Sequence, residues 1–399
     1  MKGALDSSAR LLFRSALVIF LVTIVIGILN GLDIWLPDRQ MILTHVHAGT
    51  LGWITMSVVG VALLMYGANA DEKAVASGTR LAQAVVGATV LYVIAFASTT
   101  GIFRPIAGTL MLAAIVWALI WVIGQRASTP PTIPSVGMLL ALISLTIGAV
   151  LGVLLGLFIA NGSLPGLDAD TAGSLAGAHP PAMLIGYLVL AGVAISEWLL
   201  DKSPKPASES KSGLTVVYGL FLSGLLFNVA FIADIEALIQ VASMLEVIGI
   251  VIFLVRMRSH LKPSAWKGIG ADTFGIMSVV YVAVGIALLV YVVQLFVSGE
   301  LDPETGEGPV GVLIAFDHAL FVGAMTNALF GVVARRVAYD GLVRMVVWGV
   351  NVGLAGFLVG LVVDSAVIKR ISTPVMGLAL IIGIYVFLTR SEVLEASSA

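Results

Sequence analysis

The chain contains no cysteine. That excludes disulfides, iron–sulfur ligation, zinc–thiolate sites and covalent c-type haem attachment. Charge is scarce as well. Only 11% of the 399 residues are Asp, Glu, Lys or Arg, against about 25% in soluble domains. Histidine is rarer still, with five in the whole chain. The net charge is −2 and the basic residues form no patch, so nucleic acid is not an expected partner. No polar stretch is long enough to make a soluble domain.

What fills the chain is apolar. Hydrophobic residues make up 59% and the mean hydropathy is +1.08. Runs of about 20 apolar residues, enough to span a hydrocarbon core of about 30 Å, recur throughout. Twelve are read, at approximately 11–30, 41–66, 79–99, 104–124, 135–160, 178–200, 213–233, 236–257, 273–298, 309–335, 342–364 and 373–390. The first is too long for the apolar core of a signal peptide and no A-x-A site follows it, so it counts as helix 1. The expected fold class is all-α integral membrane: twelve transmembrane helices in three pseudo-repeats of four. They form a single membrane domain over 1–399, with repeats at approximately 1–130, 131–265 and 266–399.

With the N-terminus inside, 17 of the 21 Lys and Arg residues fall on the inner side. Only Arg39, Arg104, Lys369 and Arg370 fall outside. The positive-inside rule therefore puts both termini in the cytoplasm. The outer loops carry acids instead, including Glu300, Asp302, Glu304 and Glu307. The expected location is a prokaryotic inner or plasma membrane.

Four of the five histidines recur in register. The segments are His45-Val46-His47-Ala48-Gly49-Thr50-Leu51-Gly52-Trp53, His179-Pro180-Pro181-Ala182-Met183-Leu184-Ile185-Gly186-Tyr187 and His318-Ala319-Leu320-Phe321-Val322-Gly323. Aligned on Gly52, Gly186 and Gly323, His45 and His179 stand seven residues before their glycine, and His47 and His318 five before theirs. They fall on helices 2, 6 and 10, the second helix of each repeat, in the outer part of the membrane. The fifth, His260, lies in a basic inner loop.

Ionisable side chains inside a membrane are functional by default, because burying them is costly. Residues i and i+2 on a helix lie about 200° apart, so His45 and His47 face opposite ways and need partners from other helices. Shared register pairs His47 with His318, and His45 with His179, with helix 2 as the wall between two sites. Two axial imidazoles suit a b-type haem. A copper or zinc ion usually takes three or four ligands. Gly49, Gly52, Gly186 and Gly323 either clear space for a flat ring or let helices pack closely. The anionic propionates of a haem would draw on Arg39, Lys369 and Arg370. Glu246 and Glu197 are candidate proton carriers, and Asp317 borders the outer aqueous edge.

The arrangement resembles the haem–copper oxidase subunit I superfamily, also twelve helices in three pseudo-repeats of four. His45 to Trp53 resembles the double-His segment of C-type oxidases, which ligates two haems from opposite helix faces. His179 to Tyr187 and His318 to Gly323 resemble segments of NnrS-type membrane haem proteins, which are associated with nitric oxide. Lys369-Arg370 lies between helices 11 and 12, where oxidases keep a basic pair for propionates. The resemblance covers the whole chain as architecture and short segments as sequence. It departs in two ways. The double-His motif sits on helix 2 rather than helix 10, and helix 7, which supplies two copper ligands in oxidases, has no histidine here.

The resemblance implies one or two haem b groups, no haem c and no standard oxidase copper site. The expected function is a b-type haem protein for electron transfer or for binding nitric oxide or another diatomic gas. Its partner would be an electron-donor protein or a quinol. Two alternatives stand beside it: an oxidoreductase like nitric oxide reductase, with haem plus one non-haem metal held by His179 and carboxylates, and a metal-ion transporter with the histidines as ion ligands.

Overall fold

The computed structural model describes residues 3–99, 101–162, 168–267, 270–301 and 308–390. Among these, twelve helices are long and apolar enough to cross a membrane, and there is no strand. They are α1 (Asp6–Gly31), α2 (Arg39–Tyr66), α3 (Glu72–Ser98), α4 (Phe103–Gln125), α5 (Ile133–Asn161) and α6 (Asp170–Leu200), followed by α7 (Lys211–Ala233), α8 (Glu236–Met257), α9 (Asp272–Val297), α10 (Gly311–Ala334), α11 (Gly341–Val362) and α12 (Ala366–Arg390). The chain is an integral membrane protein by length and composition, and its environment is the lipid bilayer. Asp302, Glu304 and Glu307 lie outside the described residues.

Aspartates set many helix ends. Asp38, Asp71, Asp168 and Asp340 each accept a backbone N–H in the first turn of α2, α3, α6 and α11, which satisfies donors a helix start leaves orphaned. Asp33, Asp234 and Asp364 follow α1, α7 and α11 in the left-handed conformation, with φ of 56°, 53° and 51°. Aspartate is one of the few residues besides glycine that visits this region readily.

Three helices form the interior. The most apolar windows of α2 and α6 are 83% buried and that of α10 is 67% buried, against 28–50% for the other nine. These are the histidine helices. Each changes from α- to π-helical winding just after its histidines, over Ala48–Thr55, Ala182–Val189 and Ala319–Thr326. Each π segment is eight residues long, and Gly52, Gly186 and Gly323 are the fifth residue of each. π-helical stretches often mark functional sites.

The sequence reading starts helix 6 at 178, since Pro180-Pro181 looks like a helix start. The helix in fact begins some two turns earlier and runs through both prolines. The prolines are the last two residues of the α winding, directly before the π segment that begins at Ala182.

The three π segments meet and are joined in order. Trp53 Nε1 donates to Thr326 Oγ1 at 3.0 Å. Tyr187 Oη donates to Thr55 Oγ1 at 3.1 Å. In both bonds the sixth residue of one π segment donates to the eighth residue of another. The third pairing in that cycle is Ala324 with Val189, which is apolar.

A second buried polar lock joins α10 to α11. Asn327 Nδ2 donates to Asn351 Oδ1 at 2.9 Å and Asn351 Nδ2 to Asn327 Oδ1 at 3.0 Å. Asn327 is 1% exposed and its Nδ2 also donates to Gly323 O, so truncating Asn351 leaves the Asn327 Oδ1 without its donor and without access to water. Asn351→Ala is expected to lower stability by about 1–3 kcal/mol, toward the lower end because membrane hydrogen bonds are often weaker than that. Thermal unfolding in detergent measures this, and an unchanged midpoint would contradict it.

Candidate functional site

All four repeat histidines are held in one way. Nδ1 of His45 donates to Thr23 O at 2.9 Å. Nδ1 of His179 donates to Gly148 O at 2.9 Å. Nδ1 of His47 bonds to Leu43 O at 2.7 Å and that of His318 to Ile314 O at 2.8 Å. A carbonyl only accepts, so each Nδ1 carries the proton and each Nε2 keeps its lone pair free. Metal-ligating histidines are typically oriented through the other ring nitrogen in this way.

The two registers differ in how they are held. His45 and His179 are tied to the preceding helix, α1 and α5. His47 and His318 are tied to their own helix, one turn back. Each site uses one histidine of each kind. The His45 and His318 rings lie 6.4 Å apart between centroids, with planes 26° apart. His318 thus meets His45, where register pairs it with His47. The reason is rotational: helices related head to tail around an axis bring unlike positions together. The same order holds in the π-segment hydrogen bonds. At the third junction, between α6 and α10, the corresponding positions are Pro181 and Phe316.

The His45–His318 pair lines a cavity with about 840 Å³ of empty space, its mouth included. The walls come from α1, α2, α10, α11 and α12 and are largely apolar, with Phe20, Ile24, Ile54 and Phe357 among them. Thr23, Thr50, Thr326, Thr373 and Asp317 supply the polar lining. Asp317 therefore faces the cavity. The His47–His179 site is more crowded: Phe96 lies 4.2 Å from the His47 ring and Tyr92 5.6 Å, centroid to centroid.

Glycines make room, but mostly not those the sequence singles out. A Cβ on Gly52 would strike Ile19, one on Gly323 the Tyr281 ring, and Gly186 packs on Gly224. These three serve close helix packing. Gly49 does line the cavity. The residues that clear the imidazoles are Gly27 and Gly152, on the preceding helices. A Cβ on Gly27 would lie 3.1 Å from His45 Cε1, and one on Gly152 2.8 Å from His179 Cε1. Each stands one turn after the carbonyl that holds the same ring. A glycine four residues after a carbonyl acceptor carries no local signal, so the sequence alone does not reveal it.

The cations fall differently from expectation. Lys369 Nζ and Arg370 Nε both bind the Asp33 carboxylate, at 3.2 and 2.7 Å. Those bonds, Arg370 first, hold the Asp33 carboxyl below its usual range. Lys369 O accepts from Thr373 Oγ1 at 2.8 Å, so the pair stands one turn above a cavity-lining residue. Arg39 is exposed, at the first residue of α2. Arg104, the fourth outer cation, lies over the Phe96 ring at 4.7 Å, and that ring packs on His47.

The remaining candidates are apart. Glu246 is 1% exposed, and its Oε2 has no partner among the described residues. Glu197 pairs with Arg256. His260 lines no part of the cavity. Among the described residues, no three His, Asp or Glu side chains come together as a metal-ion site.

No family model and no curated protein matches this chain.

Proposed function

We propose that the protein is a membrane b-type cytochrome with a haem held between His45 and His318. The observation that carries this is their geometry. Two imidazoles on one metal, at about 2.0 Å per metal–nitrogen bond plus about 1.1 Å from nitrogen to ring centre, would stand about 6.2 Å apart; these rings stand at 6.4 Å. Both bond through Nδ1 to a carbonyl, which leaves the Nε2 lone pair free, and both border an apolar cavity.

A lone metal ion suits the pair less well, since no third His, Asp or Glu joins it among the described residues. That also weighs against the transporter and against a separate non-haem metal at His179. The group, when bound, supplies one-electron chemistry. The chain supplies the rest. Thr23 O and Ile314 O fix the ring orientations, and the apolar walls exclude water. Two axial histidines leave no open position for a gas, so this site favours electron transfer over nitric oxide binding. The shared π segments, the head-to-tail histidine pairing and the cyclic Trp53–Thr326 and Tyr187–Thr55 bonds support three pseudo-repeats of four. The 17-to-4 charge split supports a cytoplasmic N-terminus, with the histidines toward the outer face.

The test is an absorption spectrum of the protein purified from cells supplied with haem. Sharp low-spin b-type bands on reduction are expected. A colourless protein that carries zinc or another ion by metal analysis would refute the reading.

A further inference from the structure

A buried carboxyl stands at the middle of a membrane span, away from the histidines. Glu246 is the eleventh of the 22 residues of α8, about 15 Å from either end at 1.5 Å per residue. α8 is the least buried of the twelve spans, with 28% of its apolar window inside the protein. Its buried residues run along one stripe, from Ala242 through Glu246, Gly249, Ile250 and Phe253 to Met257. That stripe faces α7, where a Cβ on Gly249 would lie 2.9 Å from Leu220. Met244, Ile248, Val251 and Val255 are 47–63% exposed on the other side, toward lipid.

The surroundings do not suit a carboxylate. Glu246 Oε2 is buried and has no hydrogen-bond partner among the described residues. The hydroxyl beside it belongs to Ser223 of α7. A hydroxyl has one proton to give, and Ser223 gives it to Ala242 O at 2.8 Å. Among the described residues no charged group acts on Glu246. The titratable groups of α7 and α9, the helices packed on α8, lie elsewhere. Tyr218 and Tyr291 are 53% and 40% exposed. Tyr281 donates to Asn351 O on α11. Lys211 and Asp272 are the first residues of α7 and α9, half a membrane away.

An ionised carboxylate would sit in this apolar layer with neither donor nor counter-ion, which is costly. The neutral acid avoids that cost, because its O–H can donate to the Ser223 oxygen. A metal ion would need more oxygen ligands, and Glu246 belongs to no group of three His, Asp or Glu among the described residues. Glu197, the other acid inside a span, is already claimed by Arg256. A leucine would fill the stripe at less cost, so an acid here points to proton traffic.

We propose that Glu246 is a mid-membrane proton-binding site: a carboxylic acid whose proton rests on Ser223 Oγ and exchanges with water while the helices stay folded. Local opening is easiest where few contacts hold an element, and α8 is the least buried span. The inference is independent of the haem reading, since the His45–His318 pair lies on other helices.

Infrared spectra of the native protein and Glu246→Gln, in the same detergent, provide the test. The native-minus-variant difference should contain one carboxylic acid C=O band. On transfer to heavy water that band should shift to lower frequency while the backbone amides of the spanning helices remain unexchanged. No such band would overturn the neutral acid. A band that stays put, or that shifts only as the amides exchange, would overturn proton binding and leave a structural acid. A second measurement needs no variant, should the glutamine protein misfold. A lipophilic carbodiimide adds the O–H of a protonated carboxyl across one C=N bond with no leaving group. The peptide containing Glu246 should therefore gain the whole reagent mass. Native protein that gains no adduct at Glu246 would overturn the proposal.

Discussion

Replacing His45 or His318 with alanine is expected to remove one set of b-type absorption bands, and replacing His47 or His179 to remove the other. Each histidine contributes one Nε2 to a pair, so losing either member of a pair unmakes the same site. The loss in haem affinity should reach at least about a hundredfold, because groups that merely orient a ligand are already worth about 10–100-fold. The grouping of the four variants is the sharp part. Pairing by shared register would put His47 with His318. The 6.4 Å approach of His45 and His318 predicts instead that those two single variants have indistinguishable spectra. Reduced-minus-oxidised spectra of the four proteins decide it. If the His45 and His318 variants lose different bands, the paired geometry is wrong.

The sequence reveals which residues matter but not how they meet. Hydropathy alone finds all twelve spans, because a bilayer demands about 20 apolar residues per crossing. It also finds that His45 and His47 point opposite ways, because 200° of helical rotation is a local property. Which neighbour each meets depends on how α1, α6 and α10 are arranged around α2, and a one-dimensional register says nothing about handedness. Aligning like with like was the natural error, since sequence repeats are compared by matching equivalent positions. In a ring of related units, contact joins non-equivalent positions. Trp53 with Thr326 and Tyr187 with Thr55 follow that rule, as does His45 with His318.

Helix ends were less legible than helix cores. The start of α2 was read two residues late, at 41, because Arg39 and Gln40 are polar. The Asp38 carboxylate, accepting from Met41 N at 2.8 Å, sets the true start. His45 and His47 are then six and eight residues in, about 9 and 12 Å along the helix. Lys369 and Arg370 both bind Asp33, which lies 336 and 337 positions away in the chain, so no local pattern reveals that pairing.

Filling Gly152 is expected to have an effect nearly as large as removing a ligand. His179 reaches Gly148 O across α5, and its Cε1 would sit 2.8 Å from a Cβ on Gly152, closer than real side chains approach. Gly152→Ala therefore forces the ring to move, and Gly152→Leu fills the space it occupies. The Nδ1 bond to Gly148 O breaks, and the tautomer and ring orientation are no longer fixed. Gly27→Leu should do the same to His45, with Gly27→Ala milder, since its Cβ would lie at 3.1 Å and a ring can give by a few tenths of an ångström. Affinity at the affected site should fall by about ten- to a hundredfold, the range for lost orienting contacts, while the other site keeps its bands. Gly124→Leu is the control, because a Cβ there meets nothing within 4 Å; it should leave both sites intact. Were Gly152→Leu to bind haem as the native chain does, the carbonyl-and-glycine cradle would have no part in holding the histidine.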